Sequence, residues 1–449
     1  MISEKLLQFI WLYRYFQHQS LHTVQGEAVE ILHPGIWNQD GQGPDFQEAR
    51  IRIGSALWVG DVEIHLRSSD WYRHQHASDA HYQKLILHVV YEQDLADEDP
   101  LLQHFPCVEL KGRVSRSMIR QYEAWMQQLQ PVVCAGSLTG PADVPQLIWT
   151  SWKERLLAER WEEDKGKRIR QWLQHTQEDW EEVAYILTAR SFGMNRNADM
   201  FEALAVHTPR RLFARNRHIP GATAALLFGQ AGLLQGRFQD DYPRYLQQLY
   251  TALQYKYRLH PLDPSGWQWK RLRPANFPTI RLAQLAELMD QSVHLFSRWL
   301  EASAVEDLRS LLQVKLPGYW QQHYRFDVPV EQTAGHHDSH PGRSSAGAVS
   351  AIGKDMMDHL ILNAIAPLVW WYGKLRLRDD LQQRAVDWMQ ALPPEHNQII
   401  RIWKQHAIPA LHAADSQALY QLYQQYCLPR RCLTCAIGHH LLRKVHAVP

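Results

Sequence analysis

An α/β domain at the N-terminus followed by a mostly α-helical region is the fold class this sequence predicts. Within residues 23–94, short runs alternate apolar and polar side chains with period two, as half-buried strands do. Beyond about residue 140, apolar residues recur at helical spacing, with opposite charges four apart. The chain has 449 residues and is 45% apolar, enough for two or three packed domains. The expected division is an α/β domain over 1–135 and a helical region over 136–449.

Residues 3–17 read as an amphipathic helix with Ser3 as its N-cap. TVQGEAVEIL (23–32) is strand-like, and a turn rich in Gly, Asn and Asp follows it. ARIRIG (49–54) alternates cleanly. SALWVGDVEIHLR (55–67) reads as the next strand, with Gly54-Ser55 as the hairpin turn. A short helix is expected from about Ser78, then a buried strand over LILHVVYEQD (85–94). The order is helix, three strands, helix, strand. Helical segments such as DWEEVAYILTARSFG and LQQRAVDWMQAL fill the rest, and the Gly-rich stretch 333–350 reads as a mobile loop.

A formal net charge of +1 argues against a general polyanion binder, so any nucleic-acid contact needs a local basic patch. Apolar runs fall short of the ~20 residues a membrane span requires. LLQFIWLYRYF, interrupted by Arg14, reads as a helix rather than a signal peptide, and five cysteines, three of them clustered at the C-terminal end, do not resemble a secreted disulfide framework. A reducing cytoplasm is therefore the expected location. Most of the 18 Trp are expected to pack, and most of the 25 His to do no chemistry.

GPDFQEARIRIGSALWVGDVEIH (43–65) carries the strongest chemical signal. Asp45 precedes one strand of the expected hairpin, while Glu63 and His65 lie two apart on the next and share a face. Carboxylates on adjacent strands are what a metal-dependent phosphodiesterase needs. They hold Mg²⁺ or Mn²⁺, which acidifies water and offsets developing charge. The plain alternative is a turn followed by solvent-facing strand residues.

Pro44-Asp45 followed by Glu63-x-His65, within helix–three strands–helix–strand, resembles the PD-(D/E)XK nuclease superfamily over roughly residues 1–110. The resemblance implies a restriction-endonuclease-like fold, Asp45 and Glu63 as metal ligands, and the Ile64 carbonyl as a further ligand. The superfamily's lysine falls on His65, which departs from the pattern. Lys84 is the candidate to take over its role. The whole chain also resembles a bacterial family of unknown function, on GPDF (43–46), GDVEIH (60–65), SDWYRHQH (69–76), LILHVVYEQD (85–94) and RRCLTCAIGHHLL (430–442). That likeness implies one coherent protein and no particular reaction.

His65, His74, His76, His81 and His88 follow in close succession. In an extended segment His74 and His76, with Asp70, would make a second site for Zn, Mn or Fe. His88, inside an apolar strand, reads as a core or supporting residue. Cys427, Cys432 and Cys435 lie within nine residues, with His439 and His440 after them. They suit a Cys₃His zinc site, or a four-cysteine zinc or iron–sulfur site completed by Cys134 or Cys107. Some nucleases of the superfamily close their domain with one upstream and three C-terminal cysteines, which Cys134 and these three resemble. The expected role is structural, tying the C-terminus to the N-terminal domain.

Arg210 and Arg211, and Lys270, Arg271 and Arg273 beside Trp267 and Trp269, form two basic-aromatic stretches. Such stretches serve phosphate neutralisation and base stacking, or else solvated helix faces with packed Trp. The reading that follows is a metal-dependent nuclease cutting phosphodiesters in nucleic acid, DNA before RNA. Asp45 and Glu63 would bind metal, and His65 or Lys84 would position or activate water. The alternatives are a non-catalytic nucleic-acid-binding or assembly protein on a degenerate nuclease fold, and a small-molecule metallohydrolase using the histidine run.

Overall fold

A computed structural model describes residues 2–38, 42–74, 79–138, 143–292, 294–329 and 350–446. The chain packs as two compact units. The first joins Met1–Glu154 with Gln398–Pro409 and Leu419–Pro449, and the second joins Arg155–Asn397 with Ala410–Ala418. The first unit thus runs past residue 135 and takes in the C-terminal segment. Among the described residues no helix is long and apolar enough to cross a membrane. Most of the loop expected at 333–350 lies outside the described residues.

Unit 1 opens with α1 (Glu4–Tyr13), capped by the Ser3 hydroxyl, which accepts from the Leu6 amide at 3.3 Å. Leu6, Leu7, Phe9, Ile10 and Trp11 are fully buried. At about 1.5–3 kcal/mol per side chain, that face fixes the helix in place more firmly than its intrinsic propensity does. The sheet comprises β1 (Val29–His33), β2 (Ile36–Trp37), β3 (Phe46–Ile53), β4 (Ala56–Arg67), β5 (Leu85–Glu92) and β6 (Cys107–Glu109). Its order is β1-β3-β4-β5-β6, with β2 on β3. The first pairings are antiparallel, and β4-β5 and β5-β6 are parallel.

β3 and β4 form the expected hairpin, with Ile53 opposite Ala56 and Gly54 at φ +56 in the turn. The strand expected over 23–32 begins only at Val29, because Gly26 at φ +92 closes a turn between Thr23 and Glu27. Between β4 and β5 the chain crosses over through α2 (Asp70–Arg73) and a 3₁₀ turn, Ala80–Lys84, where a regular helix was expected. Gly60 is required here: a Cβ on it would stand 2.4 Å from the Lys84 carbonyl and 2.5 Å from Ile86. α3 (Pro100–His104) leads into β6, and α4 (Arg116–Gln127) follows.

Unit 2 is helical, with Trp161, Trp299, Trp320 and Trp388 among its largest fully buried side chains. Two π-helical turns, Arg160–Lys165 and Ile361–Ile365, interrupt its helices. The Lys165 ammonium joins them by donating to the Leu362 carbonyl at 2.9 Å.

Candidate active site

The hairpin register places Phe46 opposite Val62, so Asp45 faces Glu63 across the strand pair. The Asp45 amide donates to Glu63 Oε2 at 3.0 Å, and the Ile64 amide donates to Asp45 Oδ2 at 3.1 Å. From α1, the Gln8 side chain donates to Asp45 Oδ1 at 2.7 Å. Both Asp45 oxygens are thus held in place by donors from α1 and β4. At Ile64 it is the amide, not the carbonyl, that meets Asp45.

Two residues along β4 from Glu63 lies His65, on the same face and fully buried. Its Nε2 is 3.4 Å from Glu63 Oε1 and 3.1 Å from His74 Nδ1. Its Nδ1 is 2.9 Å from Nε2 of His88, which is itself fully buried on β5. The α1 carboxylate of Glu4 completes the group. Ligand atoms of Glu4, His65 and His74 all lie within 4.8 Å of one another, the only such set of three or more among the described residues.

Burial pushes the Glu63 carboxyl up to about 8, and the nearby Glu4 charge raises it further, against hydrogen bonds from the Asp45 amide and Tyr82. Burial likewise raises Glu4, with Asp45 adding to it. The Tyr82 hydroxyl is raised by burial, then by Glu63 and Asp45. Acidic groups from three elements thus crowd one weakly solvated place, a setting that a dication would relieve. Beside it opens a cavity of about 440 Å³ whose walls include Trp71, Tyr72, Tyr82 and Phe105.

Lys84 is exposed, and its charge acts on Asp61 rather than on Glu63. Asp61 in turn accepts from the Glu48 amide at 3.2 Å, satisfying the bulge in β3. Asp70 does not form a site with His74. It accepts from the Arg67 amide at 3.1 Å and pairs with Arg73 at 3.0 Å. His76 lies outside the described residues. His81 pairs with Asp79 at 2.6 Å.

Cys134, Cys427, Cys432 and Cys435 are buried free thiols gathered in unit 1. They come from the 3₁₀ turn Val133–Ser137, the π-turn Tyr423–Cys427 and the segment 432–435. Burial raises Cys427 first, and the other three thiols add to the rise. Arg430 fastens this segment by donating to the Gln128 carbonyl at 2.7 Å and also to that of Met126. Cys107 sits apart on β6, raised by burial and Glu109. The His439 ring turns away from the thiols and bonds the Tyr15 hydroxyl at 2.6 Å.

In unit 2, Arg210 is engaged with Glu182 and Asp179. Arg211, Lys270, Arg271 and Arg273 are exposed. Trp267 is buried against Phe201, and its indole donates to the Ala231 carbonyl at 2.9 Å. Trp269 lies under Arg325. Both rings pack inside the unit, which leaves only the charges to face solvent.

Sequence reasoning did not single out Glu4, Gln8 or Tyr82. Glu4 and Gln8 stand four apart on one face of α1, a spacing visible in the sequence, although nothing there says which strand that face meets.

A mixed sheet carrying a carboxylate–imidazole cluster at the join of its antiparallel and parallel halves defines the class of protein. The chain belongs to the family described as protein of unknown function (DUF2851), which it matches over residues 4–398. No curated protein and no solved structure matches it.

Proposed function

We propose that this protein is a metal-dependent nuclease whose N-terminal unit has a PD-(D/E)XK, restriction-endonuclease-like fold. The observation that carries the proposal is the hairpin, which joins Asp45 to Glu63 and sets His65 beside them. The surrounding order of α1, β1, β3, β4 and β5 resembles the helix–three strands–helix–strand pattern of that superfamily, with only the short α2 and a 3₁₀ turn where the pattern has its second helix.

Asp45 and Glu63 would hold Mg²⁺ or Mn²⁺, and their crowding with Glu4 suits a cation. A dication bound there acidifies water and offsets charge building on a phosphodiester. His65 takes the position of the superfamily's lysine and presents an imidazole there. Lys84 is exposed and its charge acts on Asp61, so His65 is proposed before it for that role. Of the rings lining the aromatic cavity, Tyr72 is exposed and offers a stacking face for bases, with DNA proposed before RNA. Arg211, Lys270, Arg271 and Arg273 supply exposed charge for phosphates, while Arg210 is held in ion pairs.

Cys134, Cys427, Cys432 and Cys435 would hold zinc or an iron–sulfur cluster that pins the C-terminal segment. No three of these thiols come within 4.8 Å of one another. Zinc–sulfur bonds of about 2.3 Å would bring tetrahedral thiolates to about 3.8 Å. Reduced buried thiols accord with a cytoplasmic setting.

The test is cleavage of single-stranded, duplex and branched DNA and RNA with Mg²⁺ or Mn²⁺, beside an Asp45→Ala, Glu63→Ala double variant. Cutting that is lost in the variant supports the proposal. Equal cutting by both proteins refutes it. Equal, metal-independent binding without cutting favours the degenerate, non-catalytic scaffold, a reading suggested by the missing lysine at position 65.

A further inference from the structure

We infer that Glu4, His65 and His74, with the Glu63 carboxylate beside His65, form a mixed carboxylate–imidazole site for a transition-metal dication of the Mn²⁺, Fe²⁺ or Zn²⁺ class, in preference to Mg²⁺. The inference names the cation of the proposed site. It rests on that reading for what the metal does, but not for its being bound.

The geometry is that of a coordination shell. Bonds of about 2.1 Å at right or tetrahedral angles put neighbouring ligand atoms about 3.0–3.4 Å apart. His65 Nε2 lies 3.1 Å from His74 Nδ1 and 3.4 Å from Glu63 Oε1. The nearest Glu4 oxygen stays within 4.8 Å of both imidazoles. The donors come from separate places: the first turn of α1, the inner half of β4, and the residue that ends α2. Local sequence preference does not account for their convergence.

His65 is also oriented as a metal-binding histidine is. One ring nitrogen faces the cluster, and the other is held at 2.9 Å by the buried His88, the outer partner that fixes ring angle and tautomer. Two imidazoles with one carboxylate, and a second carboxylate alongside, suit Mn²⁺, Fe²⁺ or Zn²⁺. Mg²⁺ takes oxygen ligands and gives up its waters reluctantly.

The experiment uses the full chain stripped of metal, titrated separately with Mn²⁺, Zn²⁺ and Mg²⁺ by calorimetry. Mn²⁺ electron spin-echo spectra read any coupling to imidazole nitrogen. One equivalent of Mn²⁺ or Zn²⁺ should bind at least tenfold more tightly than Mg²⁺, with nitrogen coupling present. His74→Ala and Glu4→Gln should each weaken that binding about tenfold or more. His74 is exposed and Glu4 only half-buried, so both variants should fold, and circular dichroism verifies it. Mg²⁺ binding as tightly as Mn²⁺, absence of nitrogen coupling, or unchanged affinity in folded His74→Ala would overturn the inference. Metal bound as described without cleavage of any nucleic acid would sink the nuclease reading and leave this site standing.

Discussion

Replacing Glu63 with Gln should remove the fall in stability of unit 1 with rising pH that this carboxyl causes. In the folded protein the carboxyl ionises only at about 8, chiefly through burial, against 4.5 when unperturbed. Across that window the folded state holds a proton that the unfolded chain has released. Stability without metal therefore falls as pH rises from about 4.5 to 8. Each unit is worth about 1.4 kcal/mol, so by pH 7 the loss is about 3 kcal/mol. Glu63 is 5% exposed, and solvent screening takes little of this away. Gln cannot ionise, and its carbonyl still accepts from the Asp45 amide. The variant should thus keep at pH 8 the stability that the wild type has only near pH 5. Hydrogen exchange of β4 and β5 peptides in EDTA reads this locally. The protection ratio, variant over wild type at one pH, should rise on the order of 100-fold between pH 5 and pH 8. Comparing the two proteins at the same pH cancels the intrinsic pH dependence of exchange. A dication at 100 times its dissociation constant should return about 2.7 kcal/mol to the wild type and less to the variant. A ratio that stays constant across the pH range would refute the reasoning, because Glu63 would then ionise alike in both states.

Lys165 gives the same kind of test in unit 2 with the opposite slope. Burial lowers its ammonium to about 7, so stability should rise from about pH 7 to 10, as the unfolded chain still binds the proton. Lys165→Met should flatten that slope and add on the order of 2 kcal/mol at pH 7, after loss of the bond to the Leu362 carbonyl. Thermal melts over a pH series check it, and parallel curves would count against it. Gly60→Ala should cost about 2–4 kcal/mol in unit 1, since its Cβ would strike the backbone carbonyl of Lys84, which has no rotamer to escape into; exchange of β5 peptides measures the loss. Cys134→Ser should remove most bound zinc or iron, and any absorbance near about 400 nm, whereas Cys107→Ser should leave both intact. Elemental analysis decides between them, and equal retention in both variants would exclude Cys134 as a ligand.

The pieces legible in the sequence were those coded over short distances. Period-two alternation gave the β3–β4 hairpin, and the Gly54-Ser55 turn set its register. Continued unbroken, that register would set Asp45 opposite Ile64; the β3 bulge between Phe46 and Ala49, which the sequence did not announce, shifts it to Glu63. Glu4 and Tyr82 were hidden because helical spacing tells which face of α1 is buried, not which strand lies beneath it. The pairing of His74 was misread for a local reason: residues 70–73 turn into a helix, and Asp70 spends its oxygens on Arg67 and Arg73. The unit boundary was missed because one helix, Gln146–Glu159, runs continuously across it, and because residues 398–409 and 419–449 return to unit 1 from far along the chain. Trp267 and Trp269 looked like stacking rings by composition, and composition does not report which way a ring faces.

The histidine at position 65, which looked like a defect in a nuclease pattern, has a physical reading once its neighbours are known. The position is fully buried, and its side chain meets His88 on one side and His74 with Glu63 on the other. A lysine there would bring a cation with three donors and no acceptor into a place already formed by two imidazoles. It would neutralise Glu63 and compete with any metal for the same carboxylates. Imidazole divides the two tasks between its ring nitrogens, one to His88 and one to the cluster. His65, His74 and His88 therefore make sense together, as one chain of ring-to-ring contacts centred on His65.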